Sequence, residues 1–166
     1  MSVTSIRLAR PGEAGVIAWM LRQLAEETGD AAAFASTEDT IRHHGFGPQA
    51  SFEVMIADTV DRAQGMALFF RHFSTTRGQA GVYVQDLWLA PGARGAGLGP
   101  RLLAAVGRHA RAGWGADYVA LTVHGGNEGA ARFYDRLGFV AYPDAKLRIL
   151  PDAAFGALVA DGEAGA

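Results

Sequence analysis

Apolar residues recur along this chain with two periods, and the switches between them mark its elements. Residues 5–9 alternate and read as a short first strand, which Pro11 and Gly12 break. Over 13–28, Val16, Ile17, Met20, Leu21 and Leu24 fall at helical spacing. A softer helical stretch covers 33–44, closed by Gly45, Phe46, Gly47 and Pro48. Residues 52–57 and 65–73 read as consecutive strands joined by a polar turn at 58–64. After a polar loop at 74–81, residues 82–90 are the most strand-like run, stopped by Pro91 and Gly92. Leu102, Leu103, Val106 and His109 then give a helical period over 100–112. A strand at 118–123 and a helix at 127–137 follow, and 138–141 turns into a strand. The pattern closes with a last strand at 146–150, a short apolar helix at 153–159 and a frayed tail at 161–166.

A strand, helices, a run of strands, then strand–helix–strand–helix–strand is an α+β order. It predicts a central mixed, mostly antiparallel sheet of roughly six to seven strands flanked by helices. At 166 residues this fits a single domain over 1–160. With 49% apolar and 19% charged residues the chain has the means to bury a core. A net charge of −2 predicts no general affinity for nucleic acid or an anionic membrane. No apolar run reaches membrane-spanning length, and no basic segment followed by an apolar stretch opens the chain, so neither a membrane span nor a signal peptide is expected. The absence of cysteine removes disulfides and thiolate chemistry and agrees with a cytoplasmic location.

Two segments carry chemistry. Arg94, Gly95, Ala96, Gly97, Leu98 and Gly99 lie between the strongest strand and a strong helix. Glycines there allow a tight turn that brings several N–H groups to one anion, and the helix N-terminus adds partial positive charge. Arg94 and Arg101 flank the turn as further phosphate partners. A dinucleotide fingerprint fails because Pro100 stands at the sixth position from Gly95, and no Gly-Lys-Ser/Thr ends the loop as a nucleoside-triphosphate site requires. A plain glycine-rich turn is the competing reading. The second segment runs from Asn127 to Phe139. On a helix its Asn127, Ala130, Ala131 and Tyr134 share one face, leaving a shelf of small residues between two polar ones. Taken singly, Asn127 would be a helix cap and Tyr134 a buried tyrosine with a satisfied hydroxyl.

Together the segments resemble the GCN5-related N-acetyltransferases. Residues 94–99 match Q/R-x-x-G-x-G/A directly after a strand, and residues 127–139 match N-x-x-A-x-x-F-Y-x-x-x-G-F. The resemblance implies that acetyl-CoA is the acyl donor, with its pyrophosphate on the glycine loop. It further implies that backbone N–H groups around Leu87, Trp88 and Leu89, in an interrupted strand, stabilise the developing oxyanion. Tyr134 would protonate the leaving thiolate and Asn127 would assist. That transfer is uphill by about 2 kcal/mol on unperturbed values. Pro100 departs from the usual residue with a free N–H, so a somewhat weaker coenzyme grip is expected.

A narrower likeness is to the diamine and thialysine N-acetyltransferase branch, carried by Tyr83-Val84-Gln85-Asp86-Leu87-Trp88-Leu89 after Phe73-Ser74-Thr75-Thr76-Arg77-Gly78. That branch forms homodimers, for which the apolar 153–159 segment would contribute an interface. Gln85 stands where the branch has Glu, and an amide takes no proton. The first helix ends Leu24-Ala25-Glu26-Glu27-Thr28 in place of L-A-x-Y-E. Substrate contacts are therefore expected from Glu27, Gln85, Asp86 and His124. A primary ammonium must lose a proton before attack, and Asp86 through water, Glu27 or His124 are the candidates to take it. His43 and His44 read as a helix C-terminal pair, and no metal site is expected. The expected activity is N-acetylation of a small-molecule amine, either a diamine, a polyamine or an amino-acid-like compound. Acetylation of protein lysines or N-termini, and a non-catalytic acyl-CoA sensor suggested by Gln85, are the alternatives.

Overall fold

The computed structural model describes residues 5–142, 150, 153–155 and 157–159. Two compact units follow along the chain, Met1–Gly125 and Gly126–Ala166.

The first unit holds a five-stranded sheet in the order β1-β2-β3-β4-β5. Its strands are β1 (Ser5–Leu8), β2 (Glu53–Asp58), β3 (Ala63–Ser74), β4 (Gln79–Leu89) and β5 (Val119–Ala120). β1 to β4 pair antiparallel, and β5 joins β4 in parallel. Helices α1 (Ala14–Thr28) and α2 (Glu38–Phe46) follow β1, and α3 (Leu98–Trp114) connects β4 to β5. The sheet is mixed and mostly antiparallel, as the sequence predicts, but five strands stand among the described residues where roughly six to seven were expected. Residues 138–141 form no strand because the amides of Leu137, Gly138 and Phe139 are spent on Tyr134 and Asp135 carbonyls, closing a helix end. The strand expected at 146–150 falls, apart from Leu150, outside the described residues.

The second helix begins later than its apolar pattern suggests. Thr37 caps α2 by accepting from the Thr40 amide at 3.2 Å, while the Thr40 hydroxyl accepts from the Thr37 amide at 2.7 Å. These reciprocal bonds satisfy amides a helix start leaves unpaired, and they fix the boundary. His43 and His44 fall in the last turn of α2, as expected.

Alternation along each strand sends side chains to two cores. On one face Val54, Ile56, Met66, Leu68 and Trp88 pack with Ala14, Ile17, Met20 and Leu21 of α1 and Ile41 of α2. On the other, Met55, Ala67, Phe69, Val82 and Val84 are buried, as are Leu102, Val106 and Ala110 of α3. Phe69 meets His109 of α3 edge to face at 5.7 Å.

One glycine in this sheet is set by close approach. A Cβ on Gly81 would land in the ring of Tyr118. Tyr118 lies there with its hydroxyl 2.6 Å from His72 Nδ1. Gly81→Val is therefore expected to destabilise the first unit by about 1–3 kcal/mol, the usual penalty for overpacking, measured by urea unfolding.

Candidate active site

Strand β4 controls the site. It pairs with β3 from Gly65↔Leu89 to Ser74↔Gln79, but the register slips between Leu68↔Asp86 and Phe69↔Val84. Gln85 is the extra residue of a β-bulge. A bulge turns the strand and changes which residues point which way. Before it, the Val82 amide reaches across to Tyr118 O at 3.0 Å, toward β5. After it, the Ala90 amide reaches Gln64 O at 2.8 Å, toward β3. Alternation then places the N–H and C=O of Leu87 and Leu89 on the side away from β3.

That side is open. β5 pairs with β4 only at Val82↔Val119 and Tyr83↔Ala120. Beyond Tyr83 the two strands part, so the edge at Leu87 and Leu89 has no β5 partner. The interrupted strand expected around Leu87, Trp88 and Leu89 is thus continuous along β3 and split from β5. Leu87 and Leu89 are partly buried, while the Trp88 side chain is in the core at 3% exposure.

The split edge runs into the glycine loop. A short 3-10 turn, Pro91–Ala93, leads to Arg94, and Gly95 and Gly97 take left-handed conformations with φ of 78° and 75°. A Cβ at either would meet no atom within 4 Å, so the loop is open on that side. Gly97 is the N-cap of α3, and Leu98 and Gly99 begin the helix as buried residues. The first-turn amides of α3, the kind a helix leaves without internal partners, point out of its N-terminus. Pro100 sits third in the helix and contributes none of them. The glycine turn and the helix N-terminus are the groups that would hold a pyrophosphate.

Arg94 has partners that the sequence did not point to. Its Nη2 lies 2.6 and 2.7 Å from the two Glu27 carboxylate oxygens, and its Nε and Nη2 donate to Leu89 O at 3.0 and 2.8 Å. Glu27 Oε1 also accepts from Trp88 Nε1 at 3.1 Å. Glu27, expected on the substrate, is thereby engaged with the loop. Arg101 lies exposed in the first turn of α3.

On the face toward α1 and α2, Asp86 stands opposite Leu68, one step along from Trp88 opposite Met66. It is half-buried where the sheet opens, and burial pushes its carboxyl up to about 6, with the charge of His124 pulling it part of the way back. Gln85 is exposed on the bulge, and His124 is exposed beyond β5. The same face continues through Tyr83, stacked on Phe70 at 5.1 Å, with its hydroxyl 2.6 Å from Thr122 Oγ1. His72 and Tyr118 follow as a second polar pair. Asp86, Tyr83, Thr122 and His124 thus border the opening.

In the second unit, α4 (Glu128–Arg136) starts at Asn127, whose Oδ1 accepts from the Ala130 amide at 3.1 Å. The capping role read from the sequence is present. Ala130 and Ala131 are partly buried. Tyr134 is flanked edge-on by Phe133 at 5.0 Å and Phe139 at 5.3 Å. Burial pushes its phenol up to about 12, so it stays protonated across the neutral range.

Sequence reasoning missed three features of this site: the Arg94–Glu27 pair, the His72–Tyr118 pair and the Tyr83–Thr122 pair. Each joins residues far apart in the chain: the end of α1 meets the loop after β4 in the first, and strand pairing brings the other two together. The glycine at position 81 was the available signal that a ring lay close.

The acetyltransferase (GNAT) family model matches residues 17–139. Thialysine N-epsilon-acetyltransferase of Mus musculus is 30% identical over 146 residues, spanning 83% of this chain and 85% of that protein. The Bos taurus protein of the same name is 27% identical over 146 residues, with the same 83% and 85% coverage. Among solved structures, an integron cassette protein from the mobile metagenome of V. cholerae superposes with a TM-score of 0.77 at 19% identity, covering 96% of this chain and 98% of that one. An aminoglycoside acetyltransferase from an uncultured soil metagenomic sample, in complex with sisomicin, gives 0.70 at 13% identity over 90% and 95% of the two chains.

Proposed function

This chain belongs to the acetyltransferase (GNAT) family, and from that premise we propose that it transfers an acetyl group from acetyl-CoA to the primary amine of a small molecule. The observation that carries the reading is the bulge at Gln85, which opens the β4 edge beside a half-buried carboxylate and directs that edge into the glycine loop.

When bound, acetyl-CoA supplies an activated thioester. The amides at Gly95, Ala96, Gly97, Leu98 and Gly99 hold its pyrophosphate. The outward N–H groups at Leu87 and Leu89 polarise the carbonyl as negative charge develops on it. Asp86 takes the proton of the acceptor ammonium, with His124 bordering the same opening. A carboxyl near 6 is charged at neutral pH and a far better proton acceptor than an ordinary aspartate. Tyr134 returns a proton to the departing sulfur, and Asn127 fixes the start of α4 so that Ala130 and Tyr134 share its face.

Acceptor class follows from charge. Gln85 is neutral and Glu27 is paired with Arg94, which leaves Asp86 as the ionisable acid at the opening among the described residues. One carboxylate suits a single ammonium with a neutral or amino-acid-like tail better than a polycation. The thialysine N-epsilon-acetyltransferases, named for an amino-acid-like amine, favour the same choice. Asp86 also supplies the carboxylate that Gln85 lacks, which weighs against a non-catalytic sensor. A homodimer that uses the 153–159 segment, and a cytoplasmic location, belong to the same proposal.

The test is mass spectrometry of a panel of monoamines, diamines, amino acids and a peptide incubated with enzyme and acetyl-CoA. The expected result is one added acetyl group on a small monoamine or amino acid. Acetylation of the peptide alone would overturn the acceptor class, and tight acetyl-CoA binding without any product would favour the sensor. A prediction for the loop accompanies it. Gly97→Val forces a branched residue to φ near 75° and fills the open side of the turn. Coenzyme A affinity by calorimetry should fall more than about tenfold with the fold intact, a loss of roughly 1.4 kcal/mol or more.

A further inference from the structure

We propose that Glu27 and Arg94 form a latch that sets the shape of the glycine loop, so that Arg94 acts as a positioning residue and Glu27 acts on coenzyme affinity from the end of α1. This rests on the reading of the loop as the coenzyme cradle.

A carboxylate in the last turn of a helix faces the negative end of the helix dipole and is disfavoured there without a partner. Glu27 is the penultimate residue of α1. Its partner is Arg94, the first residue after the Pro91–Ala93 turn, whose Nη2 contacts both carboxylate oxygens at 2.6 and 2.7 Å. The same guanidinium folds back on the open edge of β4 and donates twice to Leu89 O. Glu27 is in turn held by the indole N–H of Trp88, a core residue set edge-on to Trp19 at 5.5 Å. One charge pair therefore fastens three elements: the end of α1, the end of β4 and the entrance of the loop. Gly95 and Gly97 give that loop two left-handed turns and no side-chain packing of their own. Its shape must come from its ends, and Arg94 is one of them.

The alternative role for Arg94 is direct contact with the pyrophosphate, and the two roles predict opposite signs for one variant. If Arg94 binds phosphate, Glu27 competes for it, and Glu27→Gln should strengthen coenzyme binding. If the pair is a latch, Glu27→Gln should weaken it. Glutamine keeps the size and an acceptor for Trp88 while removing the charge.

The experiment is a double-mutant cycle on coenzyme A affinity, by calorimetry, with Glu27→Gln, Arg94→Met and both together, each checked for an unchanged circular-dichroism spectrum. The expected result is a loss of about three- to tenfold in each single variant, in keeping with a half-exposed charge pair. The double variant should lose no more than Arg94→Met alone, because replacing Arg94 already removes the charge pair together with its bonds to Leu89 O. The KM for the amine should stay within about twofold, since the latch places Glu27 on the loop and not on the acceptor. Tighter or unchanged binding in Glu27→Gln, multiplying losses in the double variant, or a raised amine KM at constant coenzyme affinity would each overturn the latch. Wild-type protein that failed to bind coenzyme A would remove the cradle and the latch together, whereas binding that is indifferent to both substitutions removes the latch alone.

Discussion

Asp86→Asn is expected to slow acetyl transfer by about a hundredfold to ten-thousandfold and, at neutral pH, to make the folded protein more stable. Asparagine keeps the shape of the side chain but takes no proton, so the acceptor amine must reach its neutral form unaided. A primary amine with a pKa near 10 is only about one part in a thousand neutral at pH 7, which sets the scale of the loss. The stability change has the opposite sign because the folded carboxyl titrates near 6 and an unfolded one near 3.8. Below about pH 3 both states hold the proton and the residue contributes no difference. Between about 4 and 6 the unfolded chain releases its proton first, so stability falls as pH rises, and above 6 the whole penalty is present. That shift corresponds to at most about 3 kcal/mol, and water at this half-buried position reduces it to about 1–2. The melting temperatures of Asp86→Asn and wild type should therefore converge toward pH 3 and separate as pH rises from about 4 to 6, the variant being higher from there upward. A variant that is less stable at pH 8 would show that Asp86 makes a structural bond and carries no burial penalty.

Tyr134→Phe should lower turnover by about a hundredfold or more while coenzyme A binds with near-normal affinity. The ring keeps its edge contacts with Phe133 and Phe139, and only the hydroxyl is lost. With the phenol near 12, full transfer of its proton to a thiolate of ordinary pKa is uphill by about 5 kcal/mol, against about 2 on unperturbed values. That cost is within a barrier of about 16 kcal/mol for a turnover of ten per second, provided transfer accompanies carbon–sulfur cleavage. The same shift keeps the donor protonated to pH 11. Single-turnover rates at neutral pH check this directly. A rate above about half of wild type would leave Tyr134 as a wall residue, with water as the proton source.

Much of this fold was legible because burial writes a period into the sequence. The α1 stripe from Val16 to Leu24 and the runs that became β2, β3 and β4 needed no partner to be recognised. What failed were features defined by pairing. Residues 118–123 are apolar enough for a strand, yet only Val119 and Ala120 pair, because β4 turns away at Gln85. Apolarity reports burial and is silent on which backbone lies alongside. The bulge itself exists only relative to β3. Phe139 looks like the start of a strand, but its amide returns to Tyr134 O and completes a helix end. In the site, glycines at 95 and 97 were readable because their conformations exclude most other residues, and Asn127 was readable as a cap. The partnership of Arg94 with Glu27 was not, since α2 and strands β2 to β4 lie between them in the chain. Nor was the raised pKa of Asp86, which comes from burial.

The most direct measurement is the pH dependence of kcat/KM for the amine from about 5 to 8, with acetyl-CoA saturating, in wild type, Asp86→Asn and His124→Asn. In wild type log kcat/KM should rise with unit slope and bend near 6. The bend should vanish in Asp86→Asn, and it should move upward in His124→Asn, because the histidine's charge holds the Asp86 carboxyl down. A bend that survives unchanged in Asp86→Asn and disappears in His124→Asn would assign the proton to His124 and contradict Asp86 as the base.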